Sequence, residues 1–171
     1  MFVLGIDPGL TRCGYGAVLR ERTARQGGGL RAVAAGVLTT PPDAPLPARL
    51  AELQVGIRRL LAELRPDAVA VERVFFQSNV RTAMSVGQAS GVALAEAWAA
   101  GCAVAEYTPS QVKSAVTGNG SADKGQVQRM VQAILGLADL PAPADAADAL
   151  ALAICHHAVA PLRGRVEEAV R

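Results

Sequence analysis

The hydrophobic period of this chain changes once, at Pro41-Pro42, and that change constrains the fold more than any other feature. Before it, apolar residues alternate. Phe2, Leu4 and Ile6 interleave with Val3, Gly5 and Asp7, the period of a strand. A turn cluster of Pro8, Gly9, Thr11 and Arg12 leads to a second run, Gly14–Leu19, and the loop Gln26-Gly-Gly-Gly29 separates that from a third, Leu30–Leu38. Connections this short favour an antiparallel meander. After Pro45, Leu50, Leu53, Ile57, Leu60 and Leu64 recur at steps of three and four, a helical face that Pro66 stops.

Strands and helices then take turns. Ala68–Glu72 reads as a short buried strand ending in an acid. A helix over about 81–98 carries Met84, Gly87, Gly91, Leu94 and Trp98 on one side. Cys102–Tyr107 is a fifth strand, followed by a Thr108-Pro-Ser110 turn and a short helix holding Lys113. Another helix spans about 121–137, and Pro141 and Pro143 introduce the last, from about Asp145 to Val159. A three-strand meander followed by two strands each reached through a helix predicts an α/β fold: a five-stranded mixed sheet with helices on both faces. The first strand is central, because the first crossover strand must dock beside it.

Composition limits the function classes. With 171 residues, 51% of them apolar, the chain is the size of one domain with its own core over about 1–160; the tail at 161–171 has no clear reading. Three cysteines, odd in number and far apart, support neither a disulfide framework nor a zinc site. The longest apolar stretch, Ser90–Ala105, is broken by Glu96 and Gly101 and falls short of the ~20 residues of a membrane span. An acid at position 7 with no basic segment before it argues against a signal peptide, so a cytoplasmic protein is expected.

In an open α/β sheet, function gathers at the carboxyl ends of the strands. Asp7 and Glu72 end the first and fourth strands there, each either solvated, paired with Arg12 or Arg73, or part of a site. Asp145 and Asp148, at i and i+3, project from one helix face that continues through Leu152, Cys155 and Val159. Helix capping and the helix dipole explain one of these acids well and both poorly. Four carboxylates converging without a counter-charge repel strongly, and divalent cations with oxygen ligands resolve the conflict. A pair of Mg²⁺ ions can activate an attacking water and stabilise a leaving oxygen in phosphoryl displacement. His156 and His157, late in the last helix, read as solvated or dipole-favoured rather than as ligands.

Among the 17 basic residues only Lys113 and Lys124 are lysines, and a compact ammonium suits a phosphate. Lys124 in the first turn of its helix opposes the dipole and so calls for an anion nearby. Phe75 and Phe76, just beyond Glu72, are either core residues or exposed rings able to stack on a base. Gly87 and Gly91 let another backbone approach closely, either the sheet or, with Met84, a second copy of the chain. Arg12, Arg73 and Arg81 flank the acids, and excluding the four acids leaves a net charge of +6, which favours phosphate contacts.

In this order the chain carries Gly5-Ile-Asp-Pro-Gly9 with Gly14-Tyr-Gly16, Val71-Glu-Arg-Val-Phe-Phe76, Gly87-Gln-Ala-Ser-Gly91, Tyr107-Thr-Pro-Ser-Gln-Val-Lys113, Gly118-Asn-Gly-Ser-Ala-Asp-Lys124 and Ala144-Asp-Ala-Ala-Asp-Ala-Leu150. From Phe2 to about Ala160 it resembles the RuvC family of bacterial Holliday junction resolvases. The resemblance implies a ribonuclease H-like fold, a two-fold homodimer, and Mg²⁺- or Mn²⁺-dependent nicking of four-way DNA junctions that leaves 5′-phosphate and 3′-hydroxyl ends. It maps the acidic site, with two ions expected per subunit, onto Asp7, Glu72, Asp145 and Asp148. It maps basic catalytic residues onto Lys113 and Lys124, and a DNA-wedging aromatic onto Phe75. The RuvA–RuvB branch-migration complex is the implied partner. Two other readings stay open: a phosphate loop of the actin/Hsp70 ATPase type at Gly5–Gly9, and a non-catalytic junction-binding module. So does a ribonuclease H-like nuclease acting on RNA or duplex DNA.

Overall fold

A computed structural model of the chain describes residues 1–21, 29–73 and 80–169, with backbone alone at 80–82 and 161–169. Five strands, β1 (Phe2–Asp7), β2 (Arg12–Arg20), β3 (Leu30–Thr39), β4 (Ala68–Glu72) and β5 (Ala103–Tyr107), form one sheet in the order β3-β2-β1-β4-β5. The β1–β2 and β2–β3 pairs are antiparallel, and β1–β4 and β4–β5 are parallel. The period change at Pro41-Pro42 thus marks where a meander gives way to crossover connections, and β1 is central as expected.

Helices α1 (Leu46–Leu64) and α2 (Val80–Ala99) cover one face of the sheet. Their core with it is built from Leu4, Ile6, Leu53, Ile57, Leu61, Val69 and Val71. The buried ridge of α1 is Leu53, Ile57 and Leu61, whereas Leu50 and Leu60 of the expected face are only half-buried. A left-handed Arg65 (φ 49°), whose N–H donates to the Leu61 carbonyl, ends α1 immediately before Pro66. On α2 the small residues Ala89, Ala93 and Ala97 meet the sheet. Gly87 and Gly91 point away from it, with open space where a side chain would stand.

The other face carries α3 (Pro109–Thr117), α4 (Lys124–Leu135) and α5 (Ala144–Ala169). Helix α5 lies across β1 and β2, and glycines set how closely. A side chain on Gly5 would strike the Ala149 carbonyl, one on Gly14 the Asp145 carbonyl, and one on Gly16 the backbone nitrogen of Leu150. These positions face α5 because side chains alternate along a strand. Helix α5 continues to Ala169, beyond the end expected near Val159.

The two histidines expected to be solvated are instead buried, because they lie in mid-helix against the sheet and α3. His156 Nδ1 is 2.9 Å from the Tyr107 hydroxyl, and His157 Nε2 is 3.0 Å from the Val18 carbonyl. Burial holds the His157 pKa below its usual range. All three cysteines are buried, and none forms a disulfide. Among the described residues, no helix is long and apolar enough to cross a membrane.

Candidate active site

Asp7 and Glu72 end two adjacent parallel strands and belong to the face that α5 covers. The Asp7 carboxyl is a hydrogen-bonding neighbour of Glu72 across the strand pair, an influence that lowers the Glu72 pKa against the larger upward push of burial. Helix α5 brings the other two acids to the same place. With Gly5, Gly14 and Gly16 clearing its path, its first two turns sit over the carboxyl ends of β1 and β4, and Asp148 and Asp145 both add their charge at Asp7.

The electrostatic result is strongest at Asp7. Its pKa is pushed up to about 7, first by burial and then by the charges of Glu72, Asp148 and Asp145. That of Glu72 is also raised, chiefly by burial and next by Asp148. Two ion pairs supply part of the counter-charge that converging acids require. Arg12, at the start of β2, puts Nε and Nη2 2.9 and 2.8 Å from one oxygen, Asp145 Oδ2. Lys124 Nζ lies 2.8 Å from Asp148 Oδ2. Asp145 is also not a helix cap: α5 begins at Ala144, and the Pro143 carbonyl accepts from the N–H groups of Ala146 and Ala147.

Helices α3 and α4 complete the wall opposite the sheet. Thr108 caps α3 and Asp123 caps α4, each in a reciprocal pair with a glutamine three residues on. The Asp123 cap starts α4 at Lys124 rather than near 121, which sets the ammonium at the helix mouth facing Asp148. That acid is the anion its position calls for. A cavity of about 240 Å³ results, lined by Asp7, Glu72, Asp148, Lys113 and Lys124, with Val112, Val127 and Leu152 among its apolar walls. Asp145 stands outside this lining, tied to Arg12.

The remaining predicted residues divide. Arg73 is exposed immediately beyond Glu72, with its N–H bonded to the Tyr107 carbonyl. Phe75 and Phe76 lie outside the described residues, as does the side chain of Arg81. Met84, Gly87 and Gly91 are exposed on the outer side of α2, away from the acids. Sequence reasoning missed the role of Gly5, Gly14 and Gly16 as the seat of α5, although small residues at alternate strand positions were a readable signal. It also missed Arg49 of α1. Arg49 donates through Nη2 to Thr11 Oγ1 at 2.7 Å and through Nε to Thr40 Oγ1 at 3.0 Å, clamping the turn that presents Arg12.

Among the described residues, no three carboxylate, imidazole or thiol groups are already gathered as a metal-ligand cluster. The donor set nevertheless fits a hard divalent cation. Every candidate ligand is a carboxylate oxygen, the preference of Mg²⁺ and Mn²⁺. Burial, and after it the charges of Glu72, Asp148 and Asp145, push the Asp7 pKa up to about 7, and Arg12 and Lys124 already press against Asp145 and Asp148.

Known proteins match this chain over nearly its whole length. The family model "Crossover junction endodeoxyribonuclease RuvC" matches residues 3–156. The crossover junction endodeoxyribonuclease RuvC of Streptomyces avermitilis is 55% identical over 170 residues, 99% of this chain and 94% of that protein. That of Chloroflexus aggregans is 53% identical over 161 residues, 94% of this chain and 95% of its own. Thermus thermophilus RuvC in complex with a Holliday junction substrate superposes with a TM-score of 0.86 at 40% identity, covering 95% of this chain and 96% of that one. The yeast mitochondrial Holliday junction resolvase Ydc2, 13% identical, shares the fold with a TM-score of 0.64 over 97% of this chain and 85% of its own. The chain belongs to the RuvC family of crossover junction endodeoxyribonucleases.

Proposed function

We propose that this chain is a metal-dependent endonuclease that resolves Holliday junctions in recombination and repair. The observation that carries the reading is the cavity in which Asp7, Glu72 and Asp148 face Lys113 and Lys124, in a chain 40% identical to a RuvC solved with junction DNA. Asp7, Glu72, Asp148 and Asp145 are the residues that would hold Mg²⁺ or Mn²⁺, two ions per subunit. A divalent cation there supplies the Lewis acidity that activates water and steadies the leaving oxygen of the phosphodiester.

The chain's own groups do the rest. To act as ligands Asp7 and Glu72 must both be ionised, against the burial that raises the pKa of each. Lys113 and Lys124 supply positive charge to the non-bridging phosphate oxygens, and for Lys124 this means leaving Asp148 Oδ2. The apolar wall of Val112, Val127 and Leu152 limits water and strengthens each of these interactions. Arg12, Arg73 and Arg81 would contact the backbone of the junction arms, and Phe75, with Phe76 beside it, would stack on an opened base. Cleavage would leave 5′-phosphate and 3′-hydroxyl ends.

A two-fold homodimer matches the symmetry of a four-way junction and would set two sites for paired nicks. The exposed outer side of α2, with Met84, Gly87 and Gly91, is the surface proposed for that contact. The RuvA–RuvB complex would be the partner in the bacterial cytoplasm, and residues 1–171 would act as one nuclease domain. The test is cleavage of a synthetic mobile junction against linear duplex, with and without Mg²⁺. Metal-dependent cleavage of the junction alone is expected. Equal cleavage of both substrates would indicate a general nuclease of the same fold.

A further inference from the structure

The four acids are not equivalent. Three of them, Asp7, Glu72 and Asp148, line the cavity with both lysines, and Asp145 does not. Asp145 is instead held by Arg12, which places two guanidinium nitrogens on the single oxygen Oδ2. We infer that Arg12 is a resident counter-ion that competes with a divalent cation for Asp145 and yields it when a DNA phosphate draws the guanidinium away. This deepens the metal-dependent reading above and rests on it.

The backbone that carries Arg12 is held in place. Its turn is fastened to the end of β3 and to α1 rather than left loose. The Thr40 hydroxyl, itself buried, donates to the Leu10 carbonyl at 2.6 Å, and the Thr40 N–H donates to the Thr11 carbonyl at 3.2 Å. Arg49 adds its bonds to Thr11 Oγ1 and Thr40 Oγ1. The Arg12 side chain meanwhile keeps about half its surface in solvent, 49%, so a phosphate can reach it without unfolding anything. Guanidinium favours phosphate and carboxylate alike, which makes exchange between the two cheap. On this arrangement the DNA-free protein withholds Asp145, so the full ion complement forms only on substrate.

The test is Mn²⁺ titration of the full chain without DNA, followed by electron paramagnetic resonance, for the parent and for Arg12→Ala, Arg12→Lys, Asp145→Asn, the double variant Arg12→Ala/Asp145→Asn, and Asp7→Asn. Arg12→Ala is expected to bind Mn²⁺ roughly threefold to tenfold more tightly, or to take up an additional ion, with Arg12→Lys between it and the parent. In the Asp145→Asn background, removing Arg12 should bring no gain, because the competition acts through that carboxylate. A titration of Arg12→Ala that overlays the parent overturns the inference, and so does a gain that persists without Asp145, which would mark a general field effect. Asp7→Asn separates the two levels of the argument: if it binds Mn²⁺ as the parent does, the metal site itself is misassigned.

Discussion

Lys124 Nζ stands 2.8 Å from Asp148 Oδ2, a contact between the first residue of α4 and the second turn of α5 inside the acid-lined cavity. An ammonium at a helix N-terminus opposes the helix dipole, so the position is tolerable only with an anion opposite. In the resting protein Asp148 is that anion, and the bond to it raises the lysine's pKa. During the reaction the scissile phosphate would replace it. Lys124→Ala should therefore lower junction cleavage by about 10²-fold, the loss seen when one donor to a developing charge is removed. Junction affinity, set by many phosphate contacts, should change much less. A rate unchanged within twofold under single-turnover conditions would take Lys124 out of the mechanism.

Asp7 makes a prediction about stability rather than rate. Its folded-state pKa of about 7 lies above its ordinary 3.8. The folded chain therefore binds this proton more tightly than the unfolded chain. Asp7 costs nothing below about pH 4, and its cost grows until it is complete above about pH 7. Asp7→Asn removes that cost. With EDTA present, the variant should melt above the parent by ~4 °C near pH 8, with the difference closing toward pH 4. Adding Mg²⁺ should raise the parent's melting temperature and leave the variant's nearly unchanged. A difference independent of pH would show that the carboxyl is not held in a repulsive cluster.

Gly5 tests the seat of α5. A methyl group there would meet backbone, the Ala149 carbonyl and the Ala153 nitrogen, and backbone cannot swing aside as a flexible side chain can. Gly5→Ala should cost about 3 kcal/mol of folding stability, the upper range for overpacking. Cleavage should also fall, since lifting α5 moves Asp145 and Asp148 away from Asp7. Gly29, which has open space around it, serves as the control. Denaturant unfolding of both variants decides it, and equal midpoints would refute the close approach.

How much of this was legible in the sequence depended on whether the signal was local. The meander, the two crossover strands and the central place of β1 followed from periodicity and connection length, and β4 beside β1 placed Asp7 and Glu72 as neighbours. Asp145 and Asp148 were readable as a pair because i and i+3 share a helix face. What escaped was tertiary. Nothing near Arg12 in sequence announces that its partner is Asp145, 133 residues away. The histidines misled because the end of the last helix was set too early, so mid-helix positions under Tyr107 and Val18 read as a solvated terminus. The start of α4 was a local signal overlooked: Asp123 and Gln126 form a capping box that fixes Lys124 as the first helical residue.

The outer side of α2 carries the last prediction. Ala89, Ala93 and Ala97 commit one side of this helix to the sheet, which leaves Gly87 and Gly91 at i and i+4 on a surface that also exposes Met84 and Trp98. Glycine weakens a helix interior, so two of them on a solvent-facing surface carry a cost that close approach of another helix would explain. With open space at both positions, a large side chain there leaves the fold intact and blocks only an approaching neighbour. Gly91→Arg should therefore keep the parent's melting temperature within ~2 °C, since replacing glycine also favours the helix. In light scattering the same variant should shift the chain from dimer toward monomer at micromolar concentration. Paired nicking of a junction should then give way to single nicks. A variant that stays dimeric and nicks in pairs would move the two-fold contact to another surface.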